Sequence, residues 1–380
     1  MIETDRPVVL VVDDNPDEQR AAFPRGLDAP ARFEVAHPSD VDESLLRDAD
    51  LVLVDLRIDY WPARDNLAQV GLKPANGLAL AAVLREHTNR PGRATGFALR
   101  SGHLVDLSVT PPGPPPQALA RAHNLEWVFS KMPGVSPDPT PTQAAALARA
   151  VRTLPAAWFP ADRAATDREV ARLLALPVDA AWLPASTRDI ANCRPPLTEL
   201  AEQNHGLLFL RWLLQRILPY PCFLYDTYRL AARMRVSHAS LIRGLNGPLA
   251  TWLDGVAYRG ILSDFLGPRW WRAGVEYLLW ELGGEAAIPP AALRLRLGTV
   301  AGIELDPSPA GEQPVVCVDE NYRPLAEAVR PQEAVRIQPD DWPSYASQSW
   351  TTVGLAREHE RLRALVVEDE QDRVEREAAP

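Results

Sequence analysis

The sequence predicts an α/β domain over residues 1–155, with a doubly wound, five-stranded parallel sheet, followed by a different second domain. One observation is that short apolar runs alternate along this stretch with segments of helical spacing. Such alternation is typical of a parallel sheet covered by helices on both faces. The other observation is a change after Pro155, where helical patterns replace the strands. Residues 156–380 are therefore predicted to be mainly α-helical, with some β-structure near 296–340.

The predicted strands of the first domain are short and apolar. Val8–Val12 is rich in β-branched residues, as expected of a strand that is buried on both faces. The further strands are predicted at 32–36, 50–56, 95–99 and 125–130, and helices at 15–26, 41–47, 77–87 and 142–154. Residues 58–76, which include Tyr60 and Trp61, form a long connection after the third strand.

The second domain shows helical spacing over residues 165–176, 197–218, 226–245 and 249–282. Residues 205–218 are apolar almost all round, which is typical of a buried helix. Strands are predicted in the segments VVCVDENY (315–322) and AVRIQP (334–339). The acidic tail of residues 365–380 is expected to be solvated or frayed.

Composition narrows the classes of function. The chain has 380 residues and a net charge of −10, which disfavours non-specific nucleic-acid binding by the whole chain. No apolar run is long enough to cross a bilayer, and the N-terminus lacks the pattern of a secretory signal. Cys193, Cys222 and Cys317 are far apart in sequence, without metal-ligand spacing. We therefore expect a cytoplasmic protein with reduced thiols and no membrane partner.

Acidic residues stand at the ends of two predicted strands. Asp13 and Asp14 follow the first strand, and Asp55 lies near the end of the third. Because functional groups gather at the carboxyl ends of parallel strands, adjacent strands would bring these carboxylates into one pocket. Their like charges would repel without a cation, and Mg²⁺ prefers such oxygen ligands. The alternative is that these residues only cap the helices that follow.

Two more functional groups follow the remaining strands of the predicted sheet. Lys131 comes after the fifth strand, and Ser101 follows Arg100 after the fourth. A carboxylate can act as a nucleophile towards a phosphoryl group, and an ammonium and a hydroxyl can bind the phosphoryl oxygens. The pattern therefore suits formation of an aspartyl phosphate beside a metal ion.

Four segments, in order along the chain, carry a family resemblance. VVLVVDDNPDEQ, LVLVDLRID, ALRSG and VFSKMP resemble the response-regulator receiver family over residues 1–155. The resemblance implies a flavodoxin-like fold and these site residues: Asp55 as phosphoacceptor, Asp13, Asp14 and Asp55 as Mg²⁺ ligands, Ser101 as switch hydroxyl and Lys131 as partner of the phosphate. Met132 between Lys131 and Pro133 departs from the family's usual Lys-Pro. Because the 58–76 connection lies beside the predicted pocket, a receiver that no longer accepts phosphate is the alternative.

The same resemblance implies the partners. A histidine kinase or a small phosphodonor would phosphorylate Asp55, and no enzymatic activity is expected beyond the receiver's own phosphorylation and dephosphorylation. The switch would act on residues 156–380 and control a protein partner, with a homodimer as a further option. An enzyme with its active site in 156–380 is another class of function, for which the sequence names no chemistry.

Residues 226–245 have the pattern of two short helices with a turn between them, and Asp226 and Ser237 are candidate N-caps. They resemble the helix-turn-helix of bacterial regulators, except that Arg235 stands where that family usually has glycine. The resemblance implies a DNA-binding regulator in which His238, Ser240 and Arg243 contact bases or phosphates. An ordinary helix hairpin within a helical core is the alternative.

Residues 260–282 are rich in aromatic side chains, and Arg269 and Arg272 flank the pair Trp270 and Trp271. One interpretation is an aromatic and basic platform for a partner, a nucleotide or a nucleic acid. The other is that these aromatic residues build the core of a helical domain.

Overall fold

The computed structural model describes residues 6–61, 74–88, 93–107, 115–131, 138–158, 162–203, 206–284 and 288–376. The chain divides into two compact units. Unit 1 consists of Met1–Ala175, Pro195–Pro219 and Gly260–Leu266, and unit 2 consists of Leu176–Arg194, Tyr220–Arg259 and Gly267–Pro380. Both units therefore contain residues from the second half of the sequence. Within the part of the chain that is described, no helix combines the length and the apolar character needed to cross a membrane.

Unit 1 is built around one sheet. Its strands are β1 (Val8–Val12), β2 (Arg32–Ala36), β3 (Leu51–Asp55), β4 (Gly96–Ser101) and β5 (Trp127–Ser130). Its helices are α1 (Pro16–Ala22), α2 (Glu43–Asp48), α3 (Gly77–Thr88), α4 (Pro116–Ala122), α5 (Thr140–Thr153), α6 (Arg163–Leu173), α8 (Leu197–Gln203) and α9 (Leu207–Trp212). All five strands are parallel, in the order β2-β1-β3-β4-β5. The predicted α/β class with a five-stranded parallel sheet is confirmed.

Helices cover both faces of this sheet because its central strands are apolar on both sides. Phe97 of β4 belongs to a buried cluster with residues of α2, α3 and α4, including Leu46 and Leu84. The preceding residue, Gly96, approaches Val151 of α5 instead. Since successive residues of a strand point to opposite faces, α5 lies on the face opposite to α3. The continuous apolar runs in the sequence follow from this two-sided burial.

The end of α9 is tied to β5, the last strand in the order of the sheet. The helix continues into a π-helical turn, Leu213–Ile217. From this turn Gln215 donates hydrogen bonds to the backbone carbonyls of Leu125 and Glu126, at 2.6 and 3.1 Å. The guanidinium of Arg211, one turn earlier, forms an ion pair with the buried Glu126 carboxylate. These contacts explain why residues 195–219 belong to unit 1.

Unit 2 combines helices with two small antiparallel sheets. Its helices are α7 (Leu183–Asn192), α10 (Thr227–Met234), α11 (His238–Leu245), α12 (Pro248–Leu253), α13 (Arg272–Gly283), α14 (Pro290–Ala301), α15 (Val353–Glu358), α16 (Glu360–Leu365) and α17 (Gln371–Arg376). Its strands are β6 (Leu224–Tyr225), β7 (Trp270–Trp271), β8 (Ala334–Ile337) and β9 (Ser349–Thr352). Strand β6 pairs with β7, and β8 pairs with β9.

Trp270 and Trp271 of the aromatic segment lie in the core of unit 2, whereas Trp280 is more than half exposed. Trp271 is fully buried and stacks on Phe223, with ring centroids 5.7 Å apart. Trp182 and Tyr258 also contact the Trp271 ring. Large rings of this kind each bury a large apolar area when they pack in a core. The core interpretation of residues 260–282 therefore holds for Trp270 and Trp271, which are both buried.

Two expectations for the end of the chain are wrong. The segment 315–322 forms no strand, because its backbone makes only isolated bridges, from Val315 to Val329 and from Val318 to Pro324. The tail is not solvated up to residue 376, because Val366 and Val374 belong to a buried cluster of unit 2. The predicted strand in AVRIQP is present as β8.

Residues 226–245 form the predicted pair of helices, α10 and α11. The side chain of Asp226 caps α10 and that of Ser237 caps α11, each accepting a backbone N–H three residues later. Arg235, in the turn between them, has a left-handed backbone with φ of 60°. This conformation costs a non-glycine residue about 1 kcal/mol, which explains the usual preference for glycine at this position.

Candidate functional site

Three carboxylates meet at the carboxyl edge of the unit 1 sheet. Asp13 and Asp14 directly follow β1, and Asp55 is the last residue of β3. One oxygen atom from each carboxylate lies within 4.8 Å of the others. Since β1 and β3 are adjacent parallel strands, their shared register brings these side chains together. A cluster of three carboxylate oxygens could hold a metal ion, and hard divalent cations prefer such ligands.

The side chain of Lys131 extends into this acidic cluster. Its Nζ lies 3.1 Å from Asp55 Oδ1 and 3.3 Å from Asp13 Oδ2. Lys131 follows β5, the last strand in the order of the sheet, so its long side chain carries a positive charge from another strand end to Asp55. The amine and the carboxylates predicted from the strand ends are therefore together in space. One ammonium against three carboxylates leaves an excess of negative charge for a cation to compensate.

Burial and charge act on the acids of this cluster. Burial raises the pKa of the Asp55 carboxyl to about 6, the ammonium of Lys131 opposes this rise, and the charge of Asp13 adds to it. Burial also raises the pKa of Asp14, although the backbone N–H of Tyr60 donates to its carboxylate and opposes the change. The site thus holds acids whose charged forms are destabilised, a situation frequent at functional sites.

Ser101 lies at the same edge, and its hydroxyl oxygen is engaged by the loop that follows. The residue is almost completely buried, and its Oγ accepts the backbone N–H of His103 at 2.9 Å. The next two residues, Gly102 and His103, line the cavity in front of Asp55. The predicted hydroxyl is therefore adjacent to the site and engaged within its own loop.

Arg100 is a site residue whose role the sequence alone does not reveal. It stands opposite Asp55 in the β3–β4 register. Its guanidinium is buried, donates to Asp138 Oδ2 at 2.9 Å and to the Gln19 side chain, and lies 5.1 Å from the Phe23 ring centroid. The only signal in the sequence is a charged residue inside an otherwise apolar strand. This arginine fixes the wall of the cavity beside the acids.

The acids open into a cavity of about 600 Å³. Its lining consists mainly of polar and charged residues: Asp13, Asp14, Asn15, Glu18, Gln19, Ala22, Asp55, Arg57, Asp59, Tyr60, Arg100, Gly102, His103, Lys131 and Asp138. Trp61, at the start of the 58–76 connection, packs edge-on against His37. The 58–76 connection, predicted to lie beside this pocket, consists mostly of residues 62–73, which lie outside the described part of the chain.

No family model matches the chain, and no curated protein matches it either. The assignment of this site therefore depends on its residues and their geometry.

The residues predicted to read DNA make contacts within unit 2. The His238 ring stacks on Tyr228, with centroids 4.2 Å apart. Ser240 is fully buried, and its hydroxyl donates to Asp306 Oδ2 at 2.8 Å. Arg243 forms an ion pair with the same Asp306 carboxylate at 2.7 Å. In this conformation the Ser240 side chain cannot reach a base edge, and the other two are engaged by neighbours.

Gly77 is a second site residue that the sequence does not reveal. It begins α3 and donates its backbone N–H to the Leu56 carbonyl at 2.8 Å. A Cβ atom at this position would lie only 1.8 Å from the carbonyl oxygen of Asp55. We therefore expect Gly77→Ala to lower the free energy of unfolding by about 1–3 kcal/mol, because α3 must move away from β3. Urea unfolding followed by circular dichroism measures this change.

Gly102→Ala is the matched control, since a Cβ atom there would meet Lys131 only at ordinary distances of 3.7 and 3.8 Å. Equal unfolding midpoints for the Gly77→Ala and Gly102→Ala variants would show that the close approach of α3 to Asp55 is not a constraint.

Proposed function

We propose that unit 1 is a phosphoacceptor receiver domain of the response-regulator type. The observation that carries this proposal is the convergence of the Asp13, Asp14 and Asp55 carboxylates with the Lys131 ammonium at one sheet edge. The strand order 2-1-3-4-5 is also that of flavodoxin-like sheets, in which ligands bind at the carboxyl ends of the strands. If the acids served only as helix caps, there would be no need for a lysine to lie between two of them.

The proposed reaction is transfer of a phosphoryl group to Asp55. A carboxylate oxygen of Asp55 attacks the phosphorus atom of the donor, and the bond from phosphorus to the leaving group breaks, which gives an acyl phosphate on Asp55. Lys131, 3.1 Å from the Asp55 carboxylate, is placed to donate to the transferred oxygens. Asp13, Asp14 and Asp55 would hold Mg²⁺, which when bound supplies positive charge against the carboxylates and the phosphoryl oxygens.

Phosphorylation would change two sets of contacts. A phosphoryl group on Asp55 adds negative charge and acceptor oxygens, so Lys131 would exchange carboxylate contacts for phosphate contacts. The Ser101 hydroxyl, now bonded to the His103 N–H, would turn towards the phosphate and release that loop. In this proposal the phosphate comes from a histidine kinase or a small phosphodonor. The loop change then alters binding of a protein partner or of a second copy.

The proposal is tested on the wild-type chain with acetyl phosphate as donor. Intact-mass spectrometry is expected to detect one added phosphoryl group in the presence of Mg²⁺ and none in excess EDTA, and fragmentation is expected to assign the group to Asp55. Absence of the adduct under both conditions, or its assignment to another residue, would overturn the proposal.

A further inference from the structure

Unit 2 contains a cavity that is separate from the acidic site of unit 1. Its volume is about 450 Å³, which lies within the range of small-molecule sites. Three arginines, two tryptophans and a serine hydroxyl line it together: Arg229, Arg233, Arg235, Trp342, Trp350 and Ser349. Ligand sites usually combine apolar surface with placed polar groups, and this lining combines the two in about equal numbers.

The three arginines of this cavity differ in their partners. Arg229 forms an ion pair with the buried Asp226, whose carboxylate also caps α10. Arg233 forms an ion pair with Glu276, with its Nε 2.6 Å from Oε1. Arg235 has no ion-pair partner within the described part of unit 2. Its charge is therefore available to a ligand, and the exposed Glu312 is the acidic residue on the lining.

Arg235 also retains an unfavourable backbone conformation. With φ of 60° it occupies the left-handed region at the end of α10, where glycine is without strain. A strained residue that lines a cavity is an indication of function, because a glycine would otherwise stabilise the fold. A glycine at position 235 would relieve the backbone strain and would lose only the arginine side chain. This indicates that the side chain itself has a role.

A second polar group on the same lining lacks a partner. Ser349, at the start of β9, is almost completely buried, and its Oγ has no hydrogen-bond partner within the described residues. A buried hydroxyl without a partner is destabilising, so such groups are rare in native structures. Rotation of this side chain towards the cavity would allow it to donate to an anionic oxygen.

We propose that this cavity of unit 2 binds a nucleoside monophosphate, with Arg235 and Ser349 on the phosphate and the indole rings of Trp342 and Trp350 against the base. Arginine suits phosphate because its planar guanidinium offers several N–H donors in a fixed geometry. Tryptophan suits a flat base because aromatic faces stack on any base. The site does not depend on the phosphoacceptor role of unit 1.

The test is isothermal titration calorimetry of the full chain with the 5′-monophosphates of adenosine, guanosine, cytidine and uridine, in EDTA to suppress metal binding at Asp55. At least one monophosphate is expected to bind about ten-fold or more tightly than its nucleoside or inorganic phosphate. Absence of binding by all four, or equal binding of inorganic phosphate, would overturn the proposal.

Variants separate the role of the side chain from that of the backbone. Arg235→Gly is expected to raise the melting temperature by a few degrees and to weaken monophosphate binding by about ten-fold or more. Arg194→Gly is the matched control, because Arg194 is an exposed left-handed arginine of unit 2 outside the cavity lining. It is expected to raise the melting temperature with unchanged binding. The Ser349→Ala variant should fold as well as the wild type and bind the monophosphate more weakly. Wild-type affinity for the monophosphate in both Arg235→Gly and Ser349→Ala would contradict the assignment.

Discussion

The Asp55→Asn variant is expected to incorporate no phosphoryl group from acetyl phosphate and Mg²⁺. Asparagine has the size of aspartate but no carboxylate oxygen that could attack phosphorus. Its side-chain oxygen can still accept the Leu56 N–H, which donates to Asp55 Oδ1 at 3.0 Å, so the end of β3 should keep its shape. Intact-mass spectrometry under conditions that modify the wild type measures the loss.

Asp59→Asn is the control for this loss. Asp59 lines the same cavity, but it is not one of the three clustered acids. The Asp59→Asn variant is expected to incorporate the phosphoryl group to the same extent as the wild type. A phosphorylated Asp55→Asn chain, or equal loss in both variants, would show that Asp55 is not the acceptor.

The second large effect is on stability. Arg211→Met is expected to lower the free energy of unfolding by about 3–5 kcal/mol, because it removes the ion-pair partner of a buried carboxylate. Glu126 is completely buried, and its carboxylate contacts Arg211 Nε at 2.8 Å and also accepts the Phe97 backbone N–H. The expected decrease would be measured by urea unfolding, followed by circular dichroism.

The double variant Arg211→Met with Glu126→Gln identifies the cause. Glutamine can still accept the Phe97 N–H and carries no charge, so we expect it to recover most of the lost stability. Arg163→Met provides a surface reference, because Arg163 pairs with Asp167 while both side chains are largely exposed. Such a pair contributes about 0–1 kcal/mol. An Arg211→Met variant no less stable than this reference would contradict the buried-charge argument.

The sheet of unit 1 could be predicted because local pattern and tertiary environment agree there. The run Val8–Val12 is apolar throughout since both faces of β1 are buried, and its observed bounds are those predicted. Helix α4 could not be predicted in the same way. It follows a proline-rich stretch and has Pro116 at its first position, so its short pattern is masked by residues typical of loops.

The acidic site could be predicted because its members are strand ends. Asp13, Asp55 and Lys131 each follow or end an apolar run, and parallel strands place such positions at one edge. Contacts between distant segments could not be predicted. Arg211 and Glu126 are 85 residues apart in the chain, and nothing local marks either as a buried partner.

Unit 2 was less predictable because much of it lacks regular backbone pairing. The segment 315–322 has the composition of a strand, but isolated bridges and turns replace the ladder there. Cys193 and Cys222, far apart in sequence, have thiols that share a hydrogen bond. Burial of the acidic tail depends on Glu370, whose carboxylate pairs with Arg336 and Arg373. These ion pairs neutralise the buried negative charge, and the pattern of charges along the sequence does not reveal them.

The hydrogen bond from the Gly77 N–H to the Leu56 carbonyl has a consequence for measurement. It joins the start of α3 to the residue that follows β3, and it involves only backbone atoms. An amide hydrogen that is bonded within the fold exchanges with solvent only when that bond opens. The Gly77 amide is therefore a probe of how often α3 separates from the end of β3.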